Sequence, residues 1–150
     1  MQRRKFFQLA GLALAAVSLP AFTRSHPMQM KPINPTPGGA FAEANEISNF
    51  SRLLFISGQV PSDANGKVPS DYPSQYRLAW SNIEAQLMAA GMALDNIVKV
   101  TIFLSDRSLV AESTGLRPAI LGDGTPAVTI IICGIYHKSW LLEIEAIAAE

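Results

Sequence analysis

The sequence of 150 residues is poor in the side chains that build metal sites and disulfides. It contains one cysteine, Cys133, and two histidines, and no acidic residue precedes Glu43. A single cysteine excludes an internal disulfide framework and a zinc site made of several thiolates. The histidines and acidic residues do not have the spacing of metal ligands, so we predict no metal site. Cys133 lies in an apolar run, which is typical of a small buried hydrophobic residue rather than of a nucleophile.

The stretch without acidic residues begins with a basic segment that is followed by a short apolar one. Residues 3–5 read Arg-Arg-Lys, and an apolar run extends from Phe6 to Leu19. This run is shorter than the roughly 20 apolar residues that span a bilayer. We therefore predict an export signal over residues 1–25, whose removal leaves a periplasmic or secreted protein without stable membrane association. The paired arginines before Phe6 favour the twin-arginine route, whereas Gln2, where Ser or Thr is usual, leaves the Sec route open.

The charge of the chain changes when this signal is removed. Residues 1–25 hold four of the 12 Lys and Arg residues and none of the 12 Asp and Glu residues, so the mature chain carries about −4. We expect no nucleic-acid partner, because phosphate binding requires clustered Lys and Arg. Residues 26–39 contain four prolines and two glycines, which predict an extended leader before a domain over residues 40–150.

The apolar pattern of the mature chain predicts an α+β domain. Strands are expected over 40–48, 53–60, 97–104, 128–135 and 141–149, and helices over 74–90 and 108–121. Ser74 is the expected N-cap of the first helix. The last two strands are expected to form a hairpin around a turn at His137. Residues 128–133 are apolar on both faces, and two helices cover one face of such a sheet, so a second copy of the chain is expected on the other.

Several segments carry a family resemblance. The sequence Ser-Gly-Gln-Val-Pro begins at Ser57, Pro-Ala stands at 126–127, and Glu-Ile-Glu-Ala-Ile-Ala begins at Glu143. Together with residues 96–106, these segments resemble the RidA, or YjgF-type, family of reactive-intermediate deaminases over residues 33–150. The resemblance implies a chorismate-mutase-like fold, with one mixed six-stranded sheet and two helices on one face. It also implies a homotrimer with a ligand cleft at each subunit boundary.

The resemblance also implies a chemistry. Active members hydrolyse imines and enamines, such as 2-iminobutanoate and 2-aminoacrylate, to 2-keto acids and ammonia without a cofactor. In the family an arginine after Pro-Ala binds the substrate carboxylate, and a glutamate on the last strand activates water. The glutamate is present as Glu143, but the arginine is replaced by Val128. The spacing between these two positions matches the family without a gap, so the chain resembles a branch that lacks the clamp arginine.

At other positions of the family's cleft, this chain has different residues. The family's tyrosine is Phe41 here, and its asparagine falls at Thr114. Arg117, three residues later, shares that face of a continuous helix, so it either replaces the missing arginine or is a surface arginine near a helix end. Ser57 is expected to form hydrogen bonds in the cleft rather than to act as a nucleophile. The candidate site is therefore Glu143 as catalytic residue, with Phe41, Ser57, Gly58, Thr114, Arg117 and Val128 as ligand-binding residues.

Two functions remain open from the sequence. The first is hydrolysis of a small imine or enamine, with Glu143 handling water or a proton and with a neutral or more apolar ligand favoured by Val128. The alternative is a non-catalytic small-molecule-binding or chaperone-like trimer, in which Glu143 is an interface residue. The resemblance alone distinguishes a trimer from other oligomers.

Overall fold

The computed structural model describes residues 27–37 and 40–150, and the predicted export signal lies outside the described residues. The described elements confirm the α+β class, and all six strands form one mixed sheet. No helix in the described part of the chain is long and apolar enough to cross a bilayer. The elements are β1 (Gln29–Pro35), β2 (Ala42–Ser48), β3 (Leu53–Gln59), α1 (Tyr72–Ala89), β4 (Ile97–Leu104), α2 (Val110–Leu121), β5 (Ala127–Ile132) and β6 (Leu142–Ala149).

The strand order of the sheet is β1-β2-β5-β4-β6-β3. β4 runs parallel to β5 and antiparallel to β6, so it separates the last two strands of the chain. The predicted hairpin of these two strands is therefore wrong. The helical crossover through α2 places β5 parallel to β4, since parallel neighbours need a long connection. Residues 133–141 then carry the chain past β4 to its other side.

The segment expected as an extended leader contains the edge strand β1. This strand pairs antiparallel with β2 from Gln29, opposite Ser48, to Pro35, opposite Ala42. Pro32 and Pro35 fit an edge position, because proline has no N–H to donate to a second neighbouring strand. The leader therefore contributes the sixth strand of the sheet.

The β1–β2 hairpin is attached to the rest of the sheet at few points. β2 pairs with β5 only through Ala42 and Ala127 in the described ladder. Farther along β2, the Asn45 side-chain amide donates to the carbonyls of Val98, at 3.2 Å, and Thr125, at 2.8 Å. The hairpin therefore lies across the amino ends of β4 and β5, and Asn45 fastens it there.

The two faces of the sheet differ in burial because side chains alternate along each strand. In β4, Val100, Ile102 and Leu104 are fully buried, whereas Lys99, Thr101 and Phe103 are half-buried. The buried side chains pack in one core with an apolar stripe of α1, whose residues recur three or four apart and are Tyr76, Trp80, Ile83 and Leu87. We call the side covered by α1 and α2 the helix face and the other side the open face.

The first helix begins earlier than the sequence predicts. Asp71, not Ser74, is the N-cap of α1, and its carboxylate accepts a hydrogen bond of 2.9 Å from the Ser74 N–H. Hydrogen bonding to Ser74 holds the pKa of Asp71 below its usual value. Pro73 occupies the first turn, where its missing N–H has no intrahelical partner to lose. Ser74 therefore serves as the donor to the cap.

The open face exposes large apolar side chains in the single chain. Phe55 of β3 is 70% exposed and Ile131 of β5 is 42% exposed. Large apolar side chains exposed on one face of a sheet are candidates for protein–protein contacts. These residues are therefore the ones that a second copy of the chain is expected to cover.

We expect Asn45→Ala to loosen the β1–β2 hairpin, because it leaves two carbonyls without their donor. Loss of two hydrogen bonds should make docking of the hairpin less favourable by about 1–2 kcal/mol. Hydrogen exchange followed by mass spectrometry should show faster exchange over residues 29–48 than in the wild type, with β4 unchanged.

The control for this variant is Glu46→Ala on the same strand. Glu46 forms an exposed ion pair with Lys31 at 3.4 Å, and such pairs contribute about 0–1 kcal/mol. Equal acceleration of hairpin exchange in the two variants would contradict the anchoring role of Asn45.

Candidate functional site

The predicted site residues lie in two groups. Phe41, Thr114, Arg117 and Val128 line one pocket together with Ile130, and we call it the α2 pocket. Its volume is about 240 Å³. Ser57, Gly58 and Glu143 lie elsewhere, where β3 meets β6, and we call them the Glu143 site.

The α2 pocket is assembled from β2, α2 and β5. Thr114 and Arg117 lie three residues apart on α2, which remains continuous from Val110 to Leu121 although Pro118 lies inside it. Both side chains therefore face the same pocket, as the spacing predicts. Phe41 comes immediately before β2, and Val128 is the second residue of β5.

Arg117 is a buried residue, so the interpretation of it as a surface arginine is wrong. It is 4% exposed, and its guanidinium carbon lies 5.2 Å from the centroid of the Phe41 ring. Its Nε has no hydrogen-bond partner among the described residues. Burial lowers the pKa of Arg117, and the nearby Tyr76 opposes that shift. The guanidinium is thus stacked on an aromatic face and withdrawn from water.

A cluster of polar side chains adjoins Arg117 between α1 and α2. Its members are Tyr72, Tyr76 and Trp80, one turn apart on α1, and Ser113 on α2, and each has a buried polar atom without a partner in the described chain. Burial raises the pKa of Tyr72 to about 12 and also raises that of Tyr76. Tyr76 and Trp80 also belong to the apolar stripe of α1, and apolar periodicity alone does not indicate their polar role. The sequence feature that could have indicated this cluster is the recurrence of a hydroxyl or indole group every four residues on α1, opposite Ser113 and Arg117.

The Glu143 site depends on a bulge in the ladder between β3 and β6. Pairing is regular up to Ile56, opposite Ala146, and shifts before Gln59. The shift places Gly58 directly against the Glu143 side chain. A Cβ atom on Gly58 would overlap Oε1 of Glu143 and would lie 2.6 Å from its Cδ. Residue 58 must therefore be glycine for the carboxylate to lie where it does.

The two groups lie on opposite faces of the sheet. Val128 is paired with Val100 of β4, and Glu143 is paired with Phe103. Side chains of directly paired residues point to the same face. Val128 therefore points to the helix face with Val100, and Glu143 points to the open face with Phe103. One chain by itself does not bring Val128 and Glu143 to the same cleft.

Next to the Glu143 site is an open-face pocket that the sequence did not indicate. It has a volume of about 370 Å³ and is lined mainly by Phe55, Ser57, Lys99, Thr101, Glu145 and Ile147. Lys99 donates to the Thr129 hydroxyl at 2.6 Å and to its neighbouring carbonyl of Val100 at 3.0 Å. Burial lowers the pKa of Lys99, against the effect of Glu145. Glu145 therefore points to the open face, as Glu143 does, but it lies near Lys99.

Comparison with known proteins places the chain in a family. The family model for endoribonuclease L-PSP matches residues 34–150, and the chain belongs to this family, which includes RidA and YjgF. It is 37% identical over 116 residues to a RutC-family protein of Pyrococcus horikoshii, covering 76% of this chain and 90% of the relative. It is 31% identical over 116 residues to TdcF of Escherichia coli, described as a candidate reactive intermediate deaminase, with 75% and 90% covered.

Solved structures agree with this assignment. The conserved Rid-family protein YyfB of Yersinia pestis matches with a TM-score of 0.71 at 25% identity, over 81% of this chain and 98% of that one. RidA from an Antarctic Psychrobacter matches with a TM-score of 0.63 at 26% identity, over 77% and 93%. The family and the chorismate-mutase-like fold that the sequence segments indicate are confirmed.

We expect Gly58→Ala to displace the Glu143 carboxylate at little cost in stability. The atoms in the way of the new methyl group belong to the end of a flexible side chain, so the free energy of unfolding should fall by less than about 1 kcal/mol. A crystal structure of the variant, with urea unfolding, would measure both effects.

The matched control is Gly134→Ala, where an added Cβ meets nothing within 4 Å. The Glu143 carboxylate should keep its position in this variant. An unmoved Glu143 in Gly58→Ala would show that the close approach does not require glycine.

Proposed function

We propose that this protein is a RidA-like hydrolase that deaminates a small imine or enamine in a cleft between two copies of the chain. Family membership and the relation to TdcF support the general reaction. The observation that carries the proposal is the Glu143 carboxylate, which lies against Gly58 on the open face of the sheet. A carboxylate beside an exposed serine, Ser57, can orient a water molecule.

The reaction needs one proton acceptor that also returns the proton. Glu143 takes a proton from water while the water oxygen forms a bond to the carbon of the C=N group, and the π electrons move to nitrogen. The carboxylic acid then gives its proton to that nitrogen, which yields a neutral carbinolamine. Glu143 next takes the proton of the carbinolamine hydroxyl and passes it to the same nitrogen, the oxygen lone pair forms the C=O bond as the C–N bond breaks, and ammonia leaves with a carbonyl product. An enamine enters this sequence after a proton is added at carbon and one is lost from nitrogen, which gives the imine.

The proposed cleft combines the α2 pocket of one copy with the Glu143 site of another. Support comes from the opposite orientation of Val128 and Glu143 in one chain and from the exposed Phe55 and Ile131 on the open face. Burial of that face by neighbouring copies brings Glu143 to a subunit boundary. We propose a homotrimer, the assembly that the family resemblance implies.

The substrate range is proposed to differ from that of family members with the clamp arginine. Val128 presents no charge at that position of β5, so the usual carboxylate contact from this strand is missing. The same substitution favours the alternative function, a non-catalytic trimer that binds small molecules. Turnover of an imine or enamine would distinguish the hydrolase from the non-catalytic trimer.

We also propose that the mature protein acts outside the cytoplasm and does not bind nucleic acid. The basic, acid-free segment over residues 1–25 and the charge of about −4 of the remainder support this proposal. An exported enzyme of this kind would act on imines and enamines in the periplasm or in the medium.

We expect Glu143→Gln to reduce kcat/KM by at least about 100-fold, because the amide cannot accept the proton of water. Release of ammonia and keto acid from freshly generated 2-aminoacrylate and 2-iminobutanoate, and of ammonia from a neutral imine, measures the effect. Glu145→Gln, two residues along on the same face, is the control and should stay within a few-fold of the wild type. Binding without turnover in the wild type would instead support the non-catalytic alternative.

A cleft between copies predicts recovery of activity in mixed oligomers. Glu143→Gln leaves the α2 pocket intact, and Val128→Trp fills that pocket but leaves Glu143 intact. Each variant alone should be inactive, whereas co-expression should restore about one quarter of wild-type activity by random assembly. No recovery, in mixtures whose size confirms assembly, would place both halves of the site in one chain.

A further inference from the structure

Lys99 differs from the other lysines of the chain in its surroundings. Among the lysines that the structure describes, it is the one that is not exposed, since Lys31, Lys67 and Lys138 are all on the surface. Its side chain lines the open-face pocket. Burial disfavours the charged form of an amine, so a lysine in such a place does not behave as a surface lysine does.

The Lys99 nitrogen is held by neutral oxygen atoms rather than by a carboxylate. It lies 2.6 Å from the Thr129 hydroxyl oxygen and 3.0 Å from the Val100 carbonyl oxygen. Glu145 lines the same pocket, but neither of the two contact ion pairs within the described part of the chain includes Lys99 or Glu145. A hydroxyl group accepts from an ammonium ion or donates to a neutral amine, so the contact with Thr129 is available in both states.

A lysine amine that is withdrawn from water is a nucleophile for carbonyl compounds. Burial lowers the pKa of Lys99, although Glu145 opposes that shift, so the neutral amine is more accessible than in a surface lysine. The amine adds to the carbonyl carbon, and a proton moves from nitrogen to the former carbonyl oxygen. Loss of water from this carbinolamine then leaves a C=N bond to Nζ of Lys99.

The open-face pocket selects for size and charge. Its volume of about 370 Å³ holds a short carbonyl compound. Phe55 and Ile147 give it apolar walls, and Ser57 and Thr101 add hydroxyl groups. The Glu145 carboxylate places a negative charge in the pocket, and like charges repel. An uncharged aldehyde or ketone is therefore favoured over a 2-keto acid.

We propose that Lys99 forms an imine with small uncharged aldehydes and ketones, so that the open-face pocket is a covalent carbonyl-binding site. This site is separate from the hydrolysis proposed for Glu143, in which neither Lys99 nor Glu145 takes part. Ser57 belongs to the Glu143 site and also lines the open-face pocket. In the proposed assembly the pocket therefore opens at the same boundary between copies as the Glu143 site.

Reductive trapping in the purified oligomer tests the proposal. Propanal is added with cyanoborohydride, which reduces the imine and fixes a propyl group on the nitrogen, and the labelled peptides are measured by mass spectrometry. The Lys99 peptide should be labelled at least about 10-fold faster than the Lys67 and Lys138 peptides, whose exposed amines are almost fully protonated. The peptide of the amino terminus reports separately on the terminal amine.

A second pair of probes tests the preference for uncharged compounds. Methyl 2-oxobutanoate and 2-oxobutanoate present the same ketone without and with a negative charge. When each rate at Lys99 is divided by the rate at Lys67, the ester should exceed the acid by at least about 10-fold, because Glu145 repels the acid.

Variants assign the reaction to Lys99 and to its hydroxyl partner. Lys99→Arg should abolish the fast labelling, because a guanidinium stays protonated, and the control Lys67→Arg should label at Lys99 like the wild type. Thr129→Val should slow labelling at Lys99 by about 3-fold or more, and Thr129→Ser should restore it, because serine returns the hydroxyl group. Glu143→Gln should label like the wild type, so a failure of the proposed hydrolysis leaves this test unaffected.

Three results would overturn the proposal. The first is labelling of Lys99 no faster than that of Lys67 and Lys138. The second is an equal normalised rate for the ester and the acid. The third is labelling of Lys99 only after the oligomer has been dissociated, which would show that a neighbouring copy fills the pocket.

Discussion

Successive side chains of a β-strand point to opposite faces of the sheet. In β4 this alternation determines to which face the site residues of the two neighbouring strands point. Val100, Ile102 and Leu104 of β4 are buried under α1, so the register of this strand is fixed by its apolar face. A shift by one residue would bring Lys99 and Thr101 into the core. Because β5 and β6 are paired with β4 in register, the same constraint sends Val128 to one face and Glu143 to the other.

All the strands and helices after β1 were predictable from local patterns, and the pairing of the strands was not. Alternation located β4, and helical periodicity identified the buried stripe of α1 and the shared face of Thr114 and Arg117. The position of β4 between β5 and β6 depends on contacts distant in sequence, which periodicity does not encode. The proline-rich leader concealed β1, because prolines that usually terminate strands are tolerated at a sheet edge.

The candidate site was predictable residue by residue only in part. The sequence segments indicated Ser57, Gly58 and Glu143, but the reason for glycine, its overlap with the carboxylate, required coordinates. The burial of Arg117 was concealed by Pro118, since proline within α2 suggested a helix end. Burial of an arginine depends on what packs over it, here Phe41 from a different element, and no local pattern reports that contact.

The sparse attachment of the β1–β2 hairpin has a consequence for ligand recognition. Phe41 immediately precedes Ala42, the residue of β2 that pairs with β5, so one wall of the α2 pocket belongs to a hairpin that has few ladder bonds to the rest of the sheet. Elements with few contacts open at a lower free-energy cost than the core. A molecule that binds in the α2 pocket would therefore be linked to docking of the hairpin. Substitutions far along the hairpin would then change affinity without touching the bound molecule and would leave the central strands unchanged.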